Sequence, residues 1–214
     1  MNNQDRLGKL IIFEGVEGCG KTTQVNLTRQ WLQSLGVEVV VTREPGGTEL
    51  GMELRRILLE SPQGTIVDRA ELLLYAADRA QHVDSYLKPL LNQGKIILCD
   101  RFIDSTIAYQ GFGRKLDLDL ILQLNAIATQ GLERDLVFWL DIDPAIGLLR
   151  KIGNHDQFDR IEQEKLDFHY RIRQGYQHQA ANYPQIIHRL DGNQSPELIQ
   201  TQIQALMKTL IRIY

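Results

Sequence analysis

The densest chemistry in the chain lies near its N-terminus. Gly15-Val16-Glu17-Gly18-Cys19-Gly20-Lys21-Thr22-Thr23 sets two glycines, a lysine and a hydroxyl at the spacing Gly-x4-Gly-Lys-Thr. Glycines let the backbone fold round a phosphate with successive N–H groups turned inward. A helix starting near Lys21 adds its positive end. In that arrangement Lys21 reaches the β- and γ-phosphates of a nucleoside triphosphate, and the Thr22 hydroxyl ligates Mg²⁺. The context separates this loop from a chance match, because the apolar run Leu10–Phe13 precedes it and a helical pattern follows. Cys19 reads as a small residue tolerated in the loop, with no chemistry assigned.

Three further clusters belong with it. Ile96-Ile97-Leu98-Cys99 ends in Asp100-Arg101-Phe102. An acid closing an apolar strand reads as a carboxylate that holds Mg²⁺ through its waters, and Arg101 beside it as a planar fork for an acceptor phosphate. Taken alone, Asp-Arg is a common surface ion pair; after a buried strand beside a phosphate loop, function is the better reading. Thr42-Arg43-Glu44-Pro45-Gly46-Gly47-Thr48 makes a tight turn, with Thr48 as helix N-cap and Arg43 facing the acceptor. Glu71, Tyr75 and Arg79 fall at i, i+4 and i+8 on one helix face, where a ring can stack on a flat base and a guanidinium can donate to its carbonyl, although on spacing alone a surface Tyr–Arg pair is the commoner meaning.

Positioning these groups takes a frame, and the apolar pattern supplies one. Strands are expected at Lys9–Glu14, Val37–Thr42, Lys95–Asp100, Leu136–Ile142 and Ile186–Leu190. Helices are expected near Lys21–Leu35, Thr48–Leu59, Asp68–Asn92, Leu118–Gly131, Asp143–Ile152, Gln163–Ala181 and Pro196–Ile211. Short continuous apolar strands alternating with helices predict an α/β fold, a parallel sheet covered on both faces with its ligands at the carboxyl ends of the strands.

Length and composition fit one domain spanning 1–214, with no repeat or low-complexity tract. A formal charge of −3 argues against a nucleic-acid coat or a polybasic membrane binder. Two cysteines exclude a disulfide framework and fit a reducing cytoplasm. No apolar run is long enough to span a bilayer, and the first residues lack a signal-peptide pattern. A guanine-reading Asn-Lys-x-Asp element is missing from the sequence. What remains is a small phosphotransferase that holds its acceptor beside ATP.

The same residues resemble the thymidylate kinases over nearly the whole chain. The match comprises Phe13–Thr23, Thr42–Thr48, Glu71-Leu72-Leu73-Leu74-Tyr75-Ala76-Ala77-Asp78-Arg79, Asp100-Arg101, Ala108-Tyr109-Gln110-Gly111 with Gly113-Arg114, and Asp159-Arg160-Ile161-Glu162. The resemblance implies a five-stranded parallel sheet of the phosphate-loop type, a homodimer, and transfer of the ATP γ-phosphate to dTMP. It further implies that Tyr75, at a position usually Phe, stacks on thymine and that Arg79 hydrogen-bonds the base. Ser105, Tyr109 and Gln110 then line the acceptor pocket, with Tyr109 excluding a ribose 2′-hydroxyl. Glu17 reaches the deoxyribose 3′-hydroxyl, and Arg43 and Arg101 hold the dTMP phosphate. Leu190-Asp191-Gly192 approach the adenine.

One departure stands out. The family supplies an arginine to the moving phosphoryl group from the phosphate loop or from a mobile lid. This loop has none, so the lid, about 149–160, must provide it. The stretch Leu149–Arg160 is poor in arginine, with Ile152 and Asn154 where bases are expected. Arg150 is the favoured donor, with Lys151 and Arg160 assisting. A protonated His155 and a slow enzyme are the alternatives, and a catalytically weak nucleotide-binding module or a kinase of another nucleotide are the rival functions.

Overall fold

The computed structural model describes residues 7–153 and 159–211. Its centre is strand β1 (Lys9–Glu14), in which Leu10 through Phe13 are fully buried. A run apolar on both faces forms no amphipathic edge, so β1 sits between two neighbours under helices on either side. β2 (Val39–Arg43), β3 (Ile96–Asp100), β4 (Leu136–Asp141) and β5 (Ile187–Asp191) complete a parallel sheet of five strands in the order β2-β3-β1-β4-β5. All the expected strands form, with ends shifted by at most two residues.

Register decides which groups meet. Asp100 pairs with Phe13 on one side and Arg43 on the other, so the acid and both arginine-bearing strand ends share one edge. Successive connections leave β1 for β2 and β3 on one flank and then cross to β4 and β5 on the other. The crevice opens at that switch, above the end of β1.

The helices are α1 (Lys21–Ser34), α2 (Glu49–Glu60), α3 (Asp68–His82), α4 (Lys88–Asn92), α5 (Ile103–Thr106), α6 (Leu118–Thr129), α7 (Pro144–Gly153), α8 (Leu166–Asn182) and α9 (Pro196–Ile211). Thr48 caps α2 as expected, its hydroxyl accepting from the Gly51 N–H at 3.0 Å. Two differences from the sequence reading matter. The continuous helix expected over Asp68–Asn92 widens to a π-turn at Val83–Leu87 before α4. A helical segment not expected at all runs from α5 into a π-coil at Ile107–Gly113. That coil packs on α8 closely enough that a Cβ on Gly175 would meet the Ala108 Cα at 2.8 Å. A π-coil has neither the 3.6 nor the 2.0 period, so its apolar pattern carries no recognisable signal. Among the described residues no helix is long and apolar enough to cross a membrane.

Candidate active site

A cleft of about 940 Å³ opens at the carboxyl ends of β1, β2 and β3. The phosphate loop, the β2 turn, α3, the α5 segment, α7 and the segment after β5 all contribute to its walls.

The loop takes the conformation its glycines permit. Gly18 has φ +69°, and a Cβ there would collide with the Gly147 backbone of α7; Gly15 has φ +141° and lies under the Leu140 carbonyl. Lys21 is folded back on this loop, its Nζ donating to the Gly15 and Val16 carbonyls at 3.0 and 3.1 Å. Thr22 and Thr23 are exposed at the cleft, at the start of α1. The Cys19 thiol is buried, and burial pushes its pKa up against the pull of Lys21, so it is no nucleophile.

Beside the loop, one oxygen of Asp100 is buried without a hydrogen-bond partner while the residue lines the cleft next to Thr22. An orphaned carboxylate oxygen beside a hydroxyl suits a hydrated Mg²⁺, which takes one or two protein oxygens and completes its shell with phosphate and water.

The acceptor wall is interlocked. Arg101 sits at φ +75°, a left-handed conformation that disfavours a non-glycine residue. Its Nη2 donates to Glu17 Oε1 at 2.6 Å, and its Nη1 donates to Ser105 Oγ and the Tyr176 hydroxyl, each at 3.1 Å. The guanidinium stacks 4.8 Å above the Tyr109 ring, and the Tyr109 hydroxyl donates to the same Glu17 oxygen at 2.7 Å. Burial alone would raise the Glu17 carboxyl, but Arg101, Lys21 and the Tyr109 hydroxyl outweigh it and hold its pKa at about 2. The other Glu17 oxygen is buried without a partner. At the end of β1, Glu14 goes the other way: burial and then Asp104 push it up to about 7, against Arg101 and hydrogen bonds from Ser105 and Tyr176.

Arg43 is exposed at the cleft, and Arg55 of α2 stands near it with Nη1 on the Pro45 carbonyl at 3.0 Å. Burial and then the like charge of Arg43 lower the Arg55 pKa.

Deeper in, Arg79 is spent almost completely. Its Nε donates to Glu44 at 2.8 Å, Nη1 to Thr106 and Asn125 at 2.8 Å each, and Nη2 to the Phe102 carbonyl at 3.0 Å. A guanidinium has five N–H groups, so one Nη2 hydrogen is left for the cleft, which Arg79 lines. Tyr75 lines the same wall, and Gln110 reaches it while donating to Glu71 at 2.9 Å. Glu71 is buried and also accepts from Arg114 and Arg160, which with Gln110 hold its carboxyl below the usual range despite burial.

The donor side is looser. Arg150 of α7 is exposed, lines the cleft, and donates to the Gly192 carbonyl at 3.1 Å. Lys151 pairs with Glu162. Arg160, expected to assist at the lid, does not line the cleft: it is buried, with Nε on the Leu58 carbonyl at 2.7 Å and Nη2 on Glu71. A buried guanidinium paired with Glu71 cannot be withdrawn for a phosphate without leaving that carboxylate short of a charge partner. Asn154 and His155 lie outside the described residues.

Several participants are not singled out by the sequence: Arg55 falls within the helix expected over Thr48–Leu59, Tyr176 within that over Gln163–Ala181, and Glu14 at the end of the first expected strand. Only the Phe-Glu-Gly wording of the loop motif carried a hint of Glu14.

A parallel sheet with a Gly-x4-Gly-Lys-Thr loop at its switch point, facing a second anion-binding wall within one cleft, defines a phosphate-loop phosphotransferase with donor and acceptor pockets. The sequence profile of one such family, thymidylate kinase, matches residues 13–203. Thymidylate kinases of Nostoc punctiforme and Trichodesmium erythraeum are 60% and 54% identical to this chain, covering 96% and 94% of it and 98% and 95% of their own lengths. The crystal structure of thymidylate kinase from Ehrlichia chaffeensis superposes with a TM-score of 0.75 at 36% identity, covering 94% of this chain and 99% of that one. The chain belongs to the thymidylate kinase family.

Proposed function

We infer that the protein transfers the γ-phosphoryl group of ATP to dTMP, giving dTDP and ADP. An oxygen of the dTMP phosphate attacks Pγ, the bond from Pγ to the β–γ bridging oxygen breaks, and ADP leaves with that oxygen's negative charge. The observation that carries this reading is the meeting of the phosphate loop with the Glu17–Arg101–Tyr109 cluster in one cleft.

The residues of the cleft are assigned the following roles in this reading. Gly15, Val16, Glu17, Gly18, Cys19 and Gly20 contribute the backbone cradle for ATP, closed by Lys21, Thr22 and Thr23. Lys21, released from the loop carbonyls, neutralises the β- and γ-phosphates. Thr22 and Asp100 would hold Mg²⁺, which when bound neutralises charge developing on the β- and γ-phosphate oxygens. Arg43 and Arg101, with Arg55 nearby, take the acceptor phosphate. Tyr75 stacks on the thymine, Arg79 offers its remaining N–H to a base carbonyl, and Ser105 and Gln110 shape the pocket. The unpartnered Glu17 oxygen suits a deoxyribose 3′-hydroxyl, while the Tyr109 ring fills the space a 2′-hydroxyl needs. Arg150 supplies positive charge to the moving group from the end of α7, where the lid begins. The protein works as a single domain over 1–214, in the cytoplasm and as a homodimer.

Coupled ADP release with ATP, Mg²⁺ and dTMP tests the reading. Turnover with dTMP, weaker turnover with dUMP and rejection of UMP are expected, since the thymine methyl supplies only about 1–3 kcal/mol of discrimination. Equal kcat/KM for dTMP and UMP sinks the assignment, and tight dTMP binding without turnover favours a non-catalytic binding module.

A further inference from the structure

Glu14 lies below the phosphate loop rather than in it, fully buried at the end of β1. Its two oxygens do separate work. Oε1 accepts from the backbone N–H groups of Phe102 and Ser105 at 2.8 and 3.2 Å, an N-terminal cap for α5. Capping does not account for Oε2, which accepts from Ser105 Oγ at 2.7 Å and from the Tyr176 hydroxyl at 2.8 Å.

Above about pH 7 the Glu14 carboxyl is ionised, and an ionised carboxylate only accepts. With both hydroxyl protons directed to Glu14, the lone pairs of Ser105 and Tyr176 turn to the other side, where Arg101 Nη1 donates to each at 3.1 Å. The two hydroxyls stand 3.0 Å apart, so a proton that one gave the other would be withheld from Glu14. Hydrogen bonds to a charged acceptor are the stronger ones, and they fix this polarity. Both Nη1 hydrogens are thereby used at the rear of the guanidinium. Nη2 holds Glu17, which leaves the Nε–H and one Nη2 hydrogen, on the guanidinium edge remote from Nη1, for an acceptor phosphate. The same Glu14 secures the backbone at Phe102, immediately after Arg101 in its left-handed conformation. A strained residue persists only when its surroundings over-determine it.

We propose that Glu14, acting through the hydroxyls of Ser105 and Tyr176, is the clamp that sets the orientation of Arg101 for the acceptor phosphate, with Glu14 and Tyr176 as positioning residues. This rests on the reading of Arg101 as a ligand of that phosphate.

The test compares dTMP with thymidine, which lacks the phosphate. Calorimetric Kd values for both at pH 8, where Glu14 is ionised, on the full chain without ATP, give a ratio that isolates the phosphate contribution. Arg101→Ala serves as the reference and should collapse the ratio; if it leaves the ratio unchanged, the reading of Arg101 fails and the proposal falls with it. With that reference in place, Tyr176→Phe should lower the ratio about threefold to tenfold and Glu14→Gln about tenfold or more, as loss of hydrogen bonds orienting a charged group predicts. Thymidine and ATP affinities should stay as in the parent protein. A ratio unchanged in both variants, or dTMP and thymidine weakened in equal measure, overturns the clamp and leaves only packing. Should Glu14→Gln fail to fold, Tyr176→Phe, which removes one oxygen and keeps the ring, decides alone.

Discussion

On the acceptor side of the cleft, Glu17, Arg101, Ser105, Tyr109 and Tyr176 hold one another, and Arg79 spends all but one of its N–H groups on Glu44, Thr106, Asn125 and Phe102. On the donor side, Lys21 is parked on loop carbonyls, Thr22 is exposed, and Arg150 has the Gly192 carbonyl as its described partner. The acceptor half is thus pre-organised by charge pairs inside the protein, and on the proposed function the donor half is left for the nucleotide to complete. Pre-organised dipoles need little rearrangement when charge develops, whereas exposed groups such as Thr22 and Arg150 are free to adjust to a ligand. A substitution in the donor half should therefore change rate without stability, and one in the acceptor frame should change stability as well.

The comparison is most exposed at Arg150. Arg150→Ala should lower kcat by about a hundredfold or more, because an arginine that stabilises the transferring phosphoryl group carries at least that much. The melting temperature and the Kd for dTMP should not move. Steady-state kinetics with calorimetry checks this, and a kcat change below threefold removes Arg150 from its role. A raised KM for ATP at unchanged kcat would place it instead on the nucleotide beside Gly192.

Next comes Arg160, which the sequence reading put with the lid and the fold puts in the frame. Arg160→Ala leaves the buried Glu71 carboxylate with Arg114 and Gln110 alone. Loss of one partner of a buried pair costs about 3 kcal/mol, read as a shift in the urea midpoint at constant slope. A shift corresponding to less than about 1 kcal/mol would show that Arg114 suffices.

The frame also has a pH signature. The folded-state pKa of Glu14, about 7, lies above its ordinary 4.5, so its contribution to stability is fully present below 4.5 and is lost as pH rises through 7. Glu17, held at about 2, has the opposite sign: its contribution is present above 4.5 and is lost as pH falls toward 2. Between pH 5 and 8 the Glu14 effect therefore dominates this pair. The stability of Glu14→Gln relative to the parent should rise across that interval by on the order of 2 kcal/mol. Denaturant unfolding at several pH values measures the slope; a flat difference would mean that Glu14 is ionised throughout.

What could be read beforehand divides along the same line. The donor loop is contiguous, so Gly15 to Thr23 declare themselves by spacing, and the strand that must precede them is a plain apolar run. Arg43 and Asp100 were legible because each ends such a strand. The acceptor frame is assembled from residues far apart in the chain, such as Glu14 with Tyr176 and Glu71 with Arg160, and no local pattern encodes those pairings. The π-coil at Ile107–Gly113 hid the element that carries Tyr109 and Gln110, although the Ala-Tyr-Gln-Gly motif still marked them through resemblance. Arg160 was misplaced because a basic residue next to a lid motif looks mobile until its buried partners are seen.

The smallest effect is expected at Tyr75, and it sharpens the comparison by contrast with Tyr176. Both hydroxyls belong to tyrosines near the acceptor, and removing either deletes one oxygen. Tyr176 is fixed between Glu14 and Arg101, whereas Tyr75 contributes a ring to the cleft wall and, among the described residues, no hydrogen bond to the frame. Burial, followed by the charge of Glu71, pushes the Tyr75 hydroxyl further up from its ordinary value, so the group is neutral at any working pH and no charge is lost with it. Stacking on a base depends on the ring face, which phenylalanine keeps. Tyr75→Phe should therefore leave kcat/KM for dTMP within about twofold, the usual scale for a neutral change outside a hydrogen-bonded network, while Tyr75→Ala should raise the KM for dTMP strongly. Parallel kinetics on Tyr75→Phe and Tyr176→Phe would separate a ring that binds from a hydroxyl that orients. Equal losses in the two would mean that the Tyr75 oxygen belongs to the frame after all.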